Sequence, residues 1–141
     1  MPDKKQIQEL NKIAVEMTKR SYAPYSHFQV GAALLAKDGR IFTGCNIENA
    51  AYTPTNCAER TAFFKAVSEG AKEFTAISIA GGPGGVLTEG ISPCGVCLQV
   101  MMEFCDPETF VVYMAADEEH YDEMLLKDLL PKGFGPKNLE K

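Results

Sequence analysis

The chain has 141 residues, of which 45% are hydrophobic and 23% charged, and its formal net charge is -5 at pH 7. This composition is typical of a single folded domain, predicted over residues 1–141, and excludes a disordered chain. The acidic balance argues against binding of nucleic acid, because phosphate contacts need clustered Lys and Arg. No apolar run is long enough to span a bilayer. The N-terminal MPDKKQIQEL lacks the apolar core of a signal peptide, so a cytoplasmic protein without a membrane partner is expected.

The first half of the chain predicts a helix, a hairpin and a second helix. Apolar residues recur at helical spacing from residue 4 to about residue 20, which indicates an amphipathic helix. Two apolar segments, Phe28 to Ala36 and Ile41 to Asn46, are joined by Lys-Asp-Gly-Arg, a strong hairpin turn. A polar loop over 46–56 follows. Helical spacing returns from Cys57 to Gly70, where glycine is a stop signal.

The second half predicts alternating strands and helices. Phe74 to Ala80 is typical of a buried strand, and the following GGPGGVLTEGISP of a long flexible loop. A helix is predicted from Cys94 to about Cys105 and a strand from Thr109 to Ala115. Residues 116–130 fit either a strand and a short helical turn or one helix. Strands separated by helices form a sheet with helices on its faces, so the order favours an α/β fold with a mixed sheet.

The cysteines are the most informative residues in the sequence. There are five of them, an odd number that fits poorly with a disulfide framework, and in a reducing cytoplasm a spaced set indicates metal binding or catalysis. Two motifs, Cys57-Ala58-Glu59 and Pro93-Cys94-Gly95-Val96-Cys97, each begin a predicted helix. Helix N-termini stabilise negative sulfur. Cys94 and Cys97 lie one turn apart, so both can reach an ion that Cys57 binds from the other helix.

Three protein ligands leave one tetrahedral position open, as in a catalytic zinc site, and one Zn²⁺ per chain is predicted. Glu59 would lie near the metal without being a ligand, where it can move a proton between water and a substrate. Three thiolates around Zn²⁺ leave an excess of negative charge. Arg60 is therefore predicted to donate hydrogen bonds to the sulfurs from the second coordination sphere.

Other interpretations of these residues stay open at this point. A C-x-x-C pair alone also occurs as a redox pair, as part of a structural zinc site, or as two core residues of a helix. A structural site would need a fourth ligand. Cys45 and Cys105 lack motif spacing and are predicted to be buried thiols. The GGPGG segment resembles a phosphate-binding loop but lacks the Lys-Ser or Lys-Thr that would follow.

The chain resembles the small, homotetrameric cytidine deaminases of bacteria and animals from about residue 10 to about residue 134. The resemblance is carried by Tyr22-Ala-Pro-Tyr-Ser26, Phe28-Gln-Val-Gly-Ala32, Gly44-Cys-Asn-Ile-Glu-Asn49, Cys57-Ala-Glu-Arg60 and Pro93-Cys-Gly-Val-Cys97. The first three motifs are typical of nucleoside deaminases, while the last two occur across the deaminase superfamily. The resemblance implies a three-layer α/β/α fold with a mixed, roughly five-stranded sheet. It also implies a homotetramer with sites at subunit interfaces.

The resemblance further implies hydrolytic deamination of cytidine and deoxycytidine to uridine and deoxyuridine, with release of ammonia, in pyrimidine salvage. In such enzymes a zinc-bound hydroxide attacks C4, and Glu59 matches the residue that shuttles protons. Asn46 and Glu48 match the pair that holds the ribose hydroxyls. Phe28 matches the aromatic residue that packs against the pyrimidine, and Ala58 matches a residue whose backbone contacts the base.

Two aromatic residues match the family more loosely. Phe134 resembles a C-terminal aromatic that enters a neighbouring subunit's site, and Tyr52 would help to line an intersubunit site. The chain departs from the family at Leu98, where Arg is usual, which leaves Arg60 as the main candidate for charge compensation. A carboxylate at Glu48 would repel a 3′-phosphate, so a free nucleoside is expected as substrate rather than RNA or DNA.

Two rival functions share some of these motifs. A deaminase of aminonucleoside antibiotics of the blasticidin type would have the same zinc motifs, but Asn46 and Glu48 favour a ribose substrate. A non-enzymatic structural zinc or RNA-binding module is disfavoured by the acidic composition and by Glu59 beside an incomplete three-ligand site.

Overall fold

A five-stranded sheet of order β2-β1-β3-β4-β5 forms the centre of the computed structural model, which describes residues 1–140. The strands are β1 (Phe28–Ala36), β2 (Ile41–Cys45), β3 (Phe74–Pro83), β4 (Val111–Ala115) and β5 (Tyr121–Leu125). Strands β3 and β4 are parallel, while the other neighbouring strands are antiparallel. The sheet is therefore mixed, and the predicted α/β class and strand number are confirmed.

Helices cover both faces of this sheet. They are α1 (Lys4–Met17), α2 (Ala58–Ser68), α3 (Gly95–Phe104) and the short α4 (Leu126–Leu129). Helix α1 packs with Ala33 and Leu35 on one face, whereas α2 and α3 pack with Ala32 and Leu34 on the other. Successive strand residues alternate between the faces, which gives the three predicted layers. Within residues 1–140, no helix is long and apolar enough to cross a membrane.

Two element boundaries differ clearly from those expected from the sequence, and the structure decides between the two alternatives for residues 116–130. The helix predicted to about residue 20 ends at Met17 and continues as a 3-10 turn over Thr18–Arg20. The loop predicted to start at Gly81 begins later, because residues 81–83 extend β3 and pair with the first residues of β1. Residues 116–130 contain β5 and α4, which confirms the alternative of a strand and a short helical turn, and β5 pairs with the free edge of β4.

Two glycines let helices approach the sheet closely on opposite faces. A Cβ atom on Gly31 would lie 2.1 Å from the carbonyl oxygen of Ala14 in α1. A Cβ atom on Gly44 would lie 2.3 Å from the carbonyl oxygen of Ala58, in the first turn of α2. Any larger side chain at these positions would overlap a helix backbone. Gly44 therefore sets the distance between β2 and the start of α2.

Gly44→Ala should lower the free energy of unfolding by about 1 to 3 kcal/mol, because the added methyl group pushes α2 away from β2. Urea unfolding followed by circular dichroism, with a chelator present so that metal binding does not contribute, measures this loss. Gly95→Ala is the matched control: within residues 1–140, apart from its chain neighbours and the nearby backbone of its own helix, no atom lies within 4 Å of the Cβ it would gain. Equal losses in the two variants would contradict the close packing of α2 on β2.

Candidate active site

The N-termini of α2 and α3 meet at one place on the sheet. Cys57 and Cys94 are the N-cap residues of these helices, and Cys97 lies in the first turn of α3. The first turn of a helix has backbone N–H groups without partners in the helix. The backbone N–H of Cys97 donates to the Cys94 sulfur at 3.5 Å. The helix start thus orients one cysteine of the pair toward the other.

The sulfur atoms of Cys57, Cys94 and Cys97 lie within 4.8 Å of one another. Those of Cys57 and Cys94 are 3.8 Å apart. Two sulfurs that bind one tetrahedral Zn²⁺ at about 2.3 Å lie roughly 3.8 Å from each other, and thiolates are ligands that zinc prefers. The donor set therefore fits one zinc ion. Within residues 1–140 it is the one group of three or more His, Cys, Asp or Glu side chains placed to hold a metal.

Cys45 and Cys105 do not join this group. Both are buried, as predicted, and burial raises the pKa of each thiol. The Cys45 thiol donates instead to the backbone carbonyl of Arg20 at 3.3 Å. Among the residues that the structure describes, no fourth ligand completes a closed structural zinc site.

The pKa values of the Cys57 and Cys97 thiols are shifted in opposite directions. The neighbouring Cys97 thiol, together with the Arg60 guanidinium, lowers the pKa of Cys57 well below its usual range. The proximity of Cys57, together with burial, raises the pKa of Cys97. The Nη2 atom of Arg60 donates to the Cys57 sulfur at 3.3 Å. The lowered pKa favours the thiolate form of Cys57, which is the form that binds metal.

Leu98 packs where the related family usually has an arginine. Its side chain is buried in the core between α3 and the sheet. The Nε atom of Arg60 is buried and has no hydrogen-bond partner within the described residues, although Nη2 reaches the Cys57 sulfur. Arg60 thus contacts the sulfur cluster through Cys57, and its role in charge compensation stays a prediction.

Glu59 is almost completely buried, with 4% of its surface exposed. This burial, reinforced by the negative charge of Cys57, raises the pKa of Glu59 to about 7. A carboxyl group with this pKa can both accept and donate a proton near neutral pH, as a general acid or base must. The burial of Glu59 thus raises its pKa in the direction that favours the proton transfer predicted for this side chain.

A cavity of about 590 Å³ opens beside the sulfur cluster. Besides Cys57 and Cys94, it is lined by five of the residues predicted to act on a substrate: Phe28, Asn46, Glu48, Ala58 and Glu59. Other surface cavities hold about 410 to 520 Å³, so volume alone does not identify the site. The site is identified by the presence of metal ligands, a buried carboxyl group and polar loop residues in the same cavity.

Asn46 uses most of its amide to organise the cavity wall. Its Oδ1 atom accepts from the backbone N–H of Val30 at 2.9 Å, and its Nδ2 atom donates to the backbone carbonyl of Phe28 at 2.7 Å. These bonds hold the loop after β2 against the start of β1. The second N–H of the amide is the one that can donate to a ligand.

Two predicted residues lie outside this cavity. Phe134 is 55% exposed on the segment after α4, where its backbone carbonyl accepts from Nε2 of Gln99 at 2.8 Å. Tyr52 is 71% exposed and lines a neighbouring cavity of about 410 Å³. That cavity shares Ser26, Glu48 and Thr55 with the larger one. Neither aromatic ring completes the site within a single chain.

Sequence reasoning missed several residues of the cavity wall. Ser26 contacts Glu48, and Ile91 and Ser92 belong to the loop before α3. Ser26 ends the motif Tyr22-Ala-Pro-Tyr-Ser26, so its place in the motif was a signal that could have found it. The loop residues carried no signal beyond their proximity to Cys94.

Glu59→Gln should stabilise the zinc-free protein at high pH and have little effect at low pH. The folded-state pKa of about 7 lies above the ordinary value of 4.5, so stability falls as pH rises through this window. Glutamine removes that loss, and a gain of about 2 to 3 kcal/mol is expected at pH 8 but almost none at pH 4. Urea unfolding with chelator and reductant measures both values.

Glu103→Gln, at an exposed position of α3, is the control and should show no comparable change between the two pH values. A Glu59→Gln variant whose gain in stability is the same at pH 4 and pH 8 would show that burial does not raise the pKa of Glu59.

Comparison with known proteins places this site in a family. Residues 4–114 match the model of the cytidine and deoxycytidylate deaminase zinc-binding region. A cytidine deaminase of Sporosarcina psychrophila is 47% identical over 135 residues, which cover 93% of this chain and 95% of the relative. A cytidine deaminase of Halalkalibacterium halodurans is 46% identical over 127 residues, with 90% and 92% covered.

Solved structures agree with these relatives. The crystal structure of cytidine deaminase from Burkholderia pseudomallei has a TM-score of 0.80 and 43% identity, covering 89% of this chain and 97% of that one. The crystal structure of cytidine deaminase from Mycobacterium tuberculosis has a TM-score of 0.75 and 37% identity, with 90% and 95% covered. Fold, sulfur cluster and sequence point the same way, and the chain belongs to the cytidine and deoxycytidylate deaminase family.

Proposed function

We propose that this protein is a zinc-dependent hydrolase that converts cytidine and deoxycytidine to uridine and deoxyuridine and releases ammonia. One observation carries the proposal: the buried Glu59 lines the same cavity as the cysteine cluster and as Asn46 and Glu48. Relatives named cytidine deaminase support it. When bound, zinc supplies a Lewis acid that makes water acidic enough to act as a nucleophile near neutral pH.

The residues of this chain divide the chemistry between them. Cys57, Cys94 and Cys97 hold the ion. Glu59 takes a proton from water and gives it to N3 of the cytosine ring, and a further proton passes through the same carboxyl group to the departing amine. Water adds at C4, the bond from C4 to the amino nitrogen breaks, and ammonia leaves. Arg60 offsets negative charge on the sulfurs through its contact with Cys57.

The cavity wall binds the nucleoside. Phe28 presents its aromatic ring to the pyrimidine, and the backbone of Ala58 contacts the base. Asn46 and Glu48 hold the ribose, with the carboxylate accepting a hydrogen bond from the 3′-hydroxyl. An ionised carboxylate at this point repels a 3′-phosphate, which favours a free nucleoside over a 3′-nucleotide or a nucleic acid.

We further propose a homotetramer in which neighbouring subunits complete each site. The rings of Tyr25 and Tyr52 pack edge to face and line the smaller cavity, and Ile47 lies in the same loop as Tyr52; all three side chains are exposed. Exposed apolar side chains grouped in this way mark surfaces that bind other proteins. Phe134, exposed and outside its own chain's cavity, is the residue proposed to enter a neighbouring site. The single domain over residues 1–141 and the cytoplasmic location stay predictions from the sequence.

Purified protein containing about one zinc per chain should remove the ultraviolet chromophore of cytidine. Its kcat/KM for cytidine 3′-monophosphate should be about a hundredfold lower, because Glu48 repels the phosphate. Blasticidin S, assayed in parallel, should be unchanged. Turnover of blasticidin S without turnover of cytidine would support the antibiotic deaminase instead. Zinc without turnover of any of the three compounds would contradict the proposed function.

Glu59→Gln should keep the fold and about one zinc per chain but lower kcat for cytidine by about 10² to 10⁴-fold, because an amide cannot transfer the proton. Zinc analysis, circular dichroism and the cytidine assay measure these three properties. The matched control, Glu103→Gln on the exposed face of α3, should keep the full rate. Full activity of Glu59→Gln would eliminate Glu59 as the residue that moves protons.

A further inference from the structure

Glu48 is held in place by the turn that precedes β1. Its Oε1 atom accepts from the backbone N–H groups of Tyr25 and Ser26, at 2.9 and 3.1 Å. Its Oε2 atom accepts from the hydroxyl group of Ser26. Ser26 therefore contacts both carboxylate oxygens, one through its backbone and one through its side chain.

The direction of the hydrogen bonds at Ser26 is fixed by its neighbours. The backbone N–H of Phe28 donates to the Ser26 hydroxyl oxygen at 3.0 Å, so that oxygen acts as an acceptor. An ionised carboxylate can only accept, and the hydroxyl proton must point to Glu48. The Ser26 hydroxyl, and next to it the two backbone N–H groups, hold the pKa of Glu48 below its usual range. The carboxylate thus stays ionised and oriented.

The turn that carries Ser26 is itself anchored. The backbone N–H of His27 donates to the carbonyl of Ala23 at 3.0 Å, and the carbonyl of His27 accepts from Gly84, beyond the end of β3. The backbone N–H of Glu48 donates to the carbonyl of Tyr22 at 2.8 Å. The serine and the glutamate are therefore connected by backbone as well as side-chain bonds, which limits rotation of the carboxylate.

We propose, on the basis of the function proposed above, that Ser26 is a positioning residue that acts through Glu48. Its hydroxyl group orients the carboxylate toward the ribose 3′-hydroxyl and thereby sets the preference for nucleosides that carry this group. A hydrogen bond to a charged group is strong enough to fix such an orientation. Because Ser26 also accepts from Phe28, the test must separate an effect through Glu48 from one through the aromatic wall.

Ser26→Ala should raise KM for cytidine about tenfold while kcat changes by less than about threefold. For 3′-deoxycytidine, which lacks the hydroxyl group that Glu48 binds, KM should stay within about twofold of its wild-type value. Ser26→Thr keeps a hydroxyl group and should restore KM for cytidine to within about threefold of wild type. Ser68→Ala, at an exposed serine whose hydroxyl donates to a carbonyl of α2, is the matched control and should change neither substrate.

A double-mutant cycle locates the effect. In the Glu48→Gln background, Ser26→Ala should change KM for cytidine by less than about twofold, because the group on which the serine acts is already altered. Additive losses, or equal losses with cytidine and 3′-deoxycytidine, would overturn the proposal and assign Ser26 to Phe28 or to the fold. If the wild-type protein deaminates cytidine, such results contradict only the role proposed for Ser26. If the wild-type protein does not deaminate cytidine, the proposed function itself is wrong.

Discussion

Helices α2 and α3 direct their N-termini at one point. The rest of the structure depends on how the electrostatic repulsion between these two helix ends is offset. Each N-terminus carries the equivalent of about half a positive charge, so two of them side by side repel each other. The sulfur atoms of Cys57, Cys94 and Cys97 occupy the space between them. Three thiolates around a divalent cation have one excess negative charge, which the two helix ends together offset. The metal site and the helix packing thus stabilise each other.

This balance explains why an apolar residue can occupy position 98. The helix ends and Arg60 already provide positive charge next to the sulfurs, and Leu98 contributes instead to the core beneath α3. The close packing of α2 on the sheet also positions the cysteines, because only a glycine at position 44 leaves room for the turn that begins at Cys57. Packing of the core and chemistry of the site therefore constrain the same few residues.

Local patterns in the sequence predicted most of the fold and the centre of the site. Helical periodicity, the hairpin turn and the two cysteine motifs depend on neighbours a few residues apart, and they placed the helices, strands and sulfur cluster correctly. The extension of β3 through residues 81–83 was missed because glycines carry no strand signal, and a partner strand with unpaired backbone groups decides the outcome. The contact of Ser26 with Glu48 joins residues 22 positions apart, which no local pattern records.

The metal-binding cysteines lie on different structural elements from the residues proposed to hold or orient the ribose. The cysteines begin helices that are embedded in the core, whereas Ser26, Asn46 and Glu48 lie on turns and loops at the rim of the sheet. Loops tolerate substitution and insertion far better than core elements do. Evolution can therefore exchange the part of the molecule that selects a substrate while the part that performs the reaction is inherited unchanged. Proteins that share this fold can therefore change their substrate range while they keep the same metal site and catalytic mechanism.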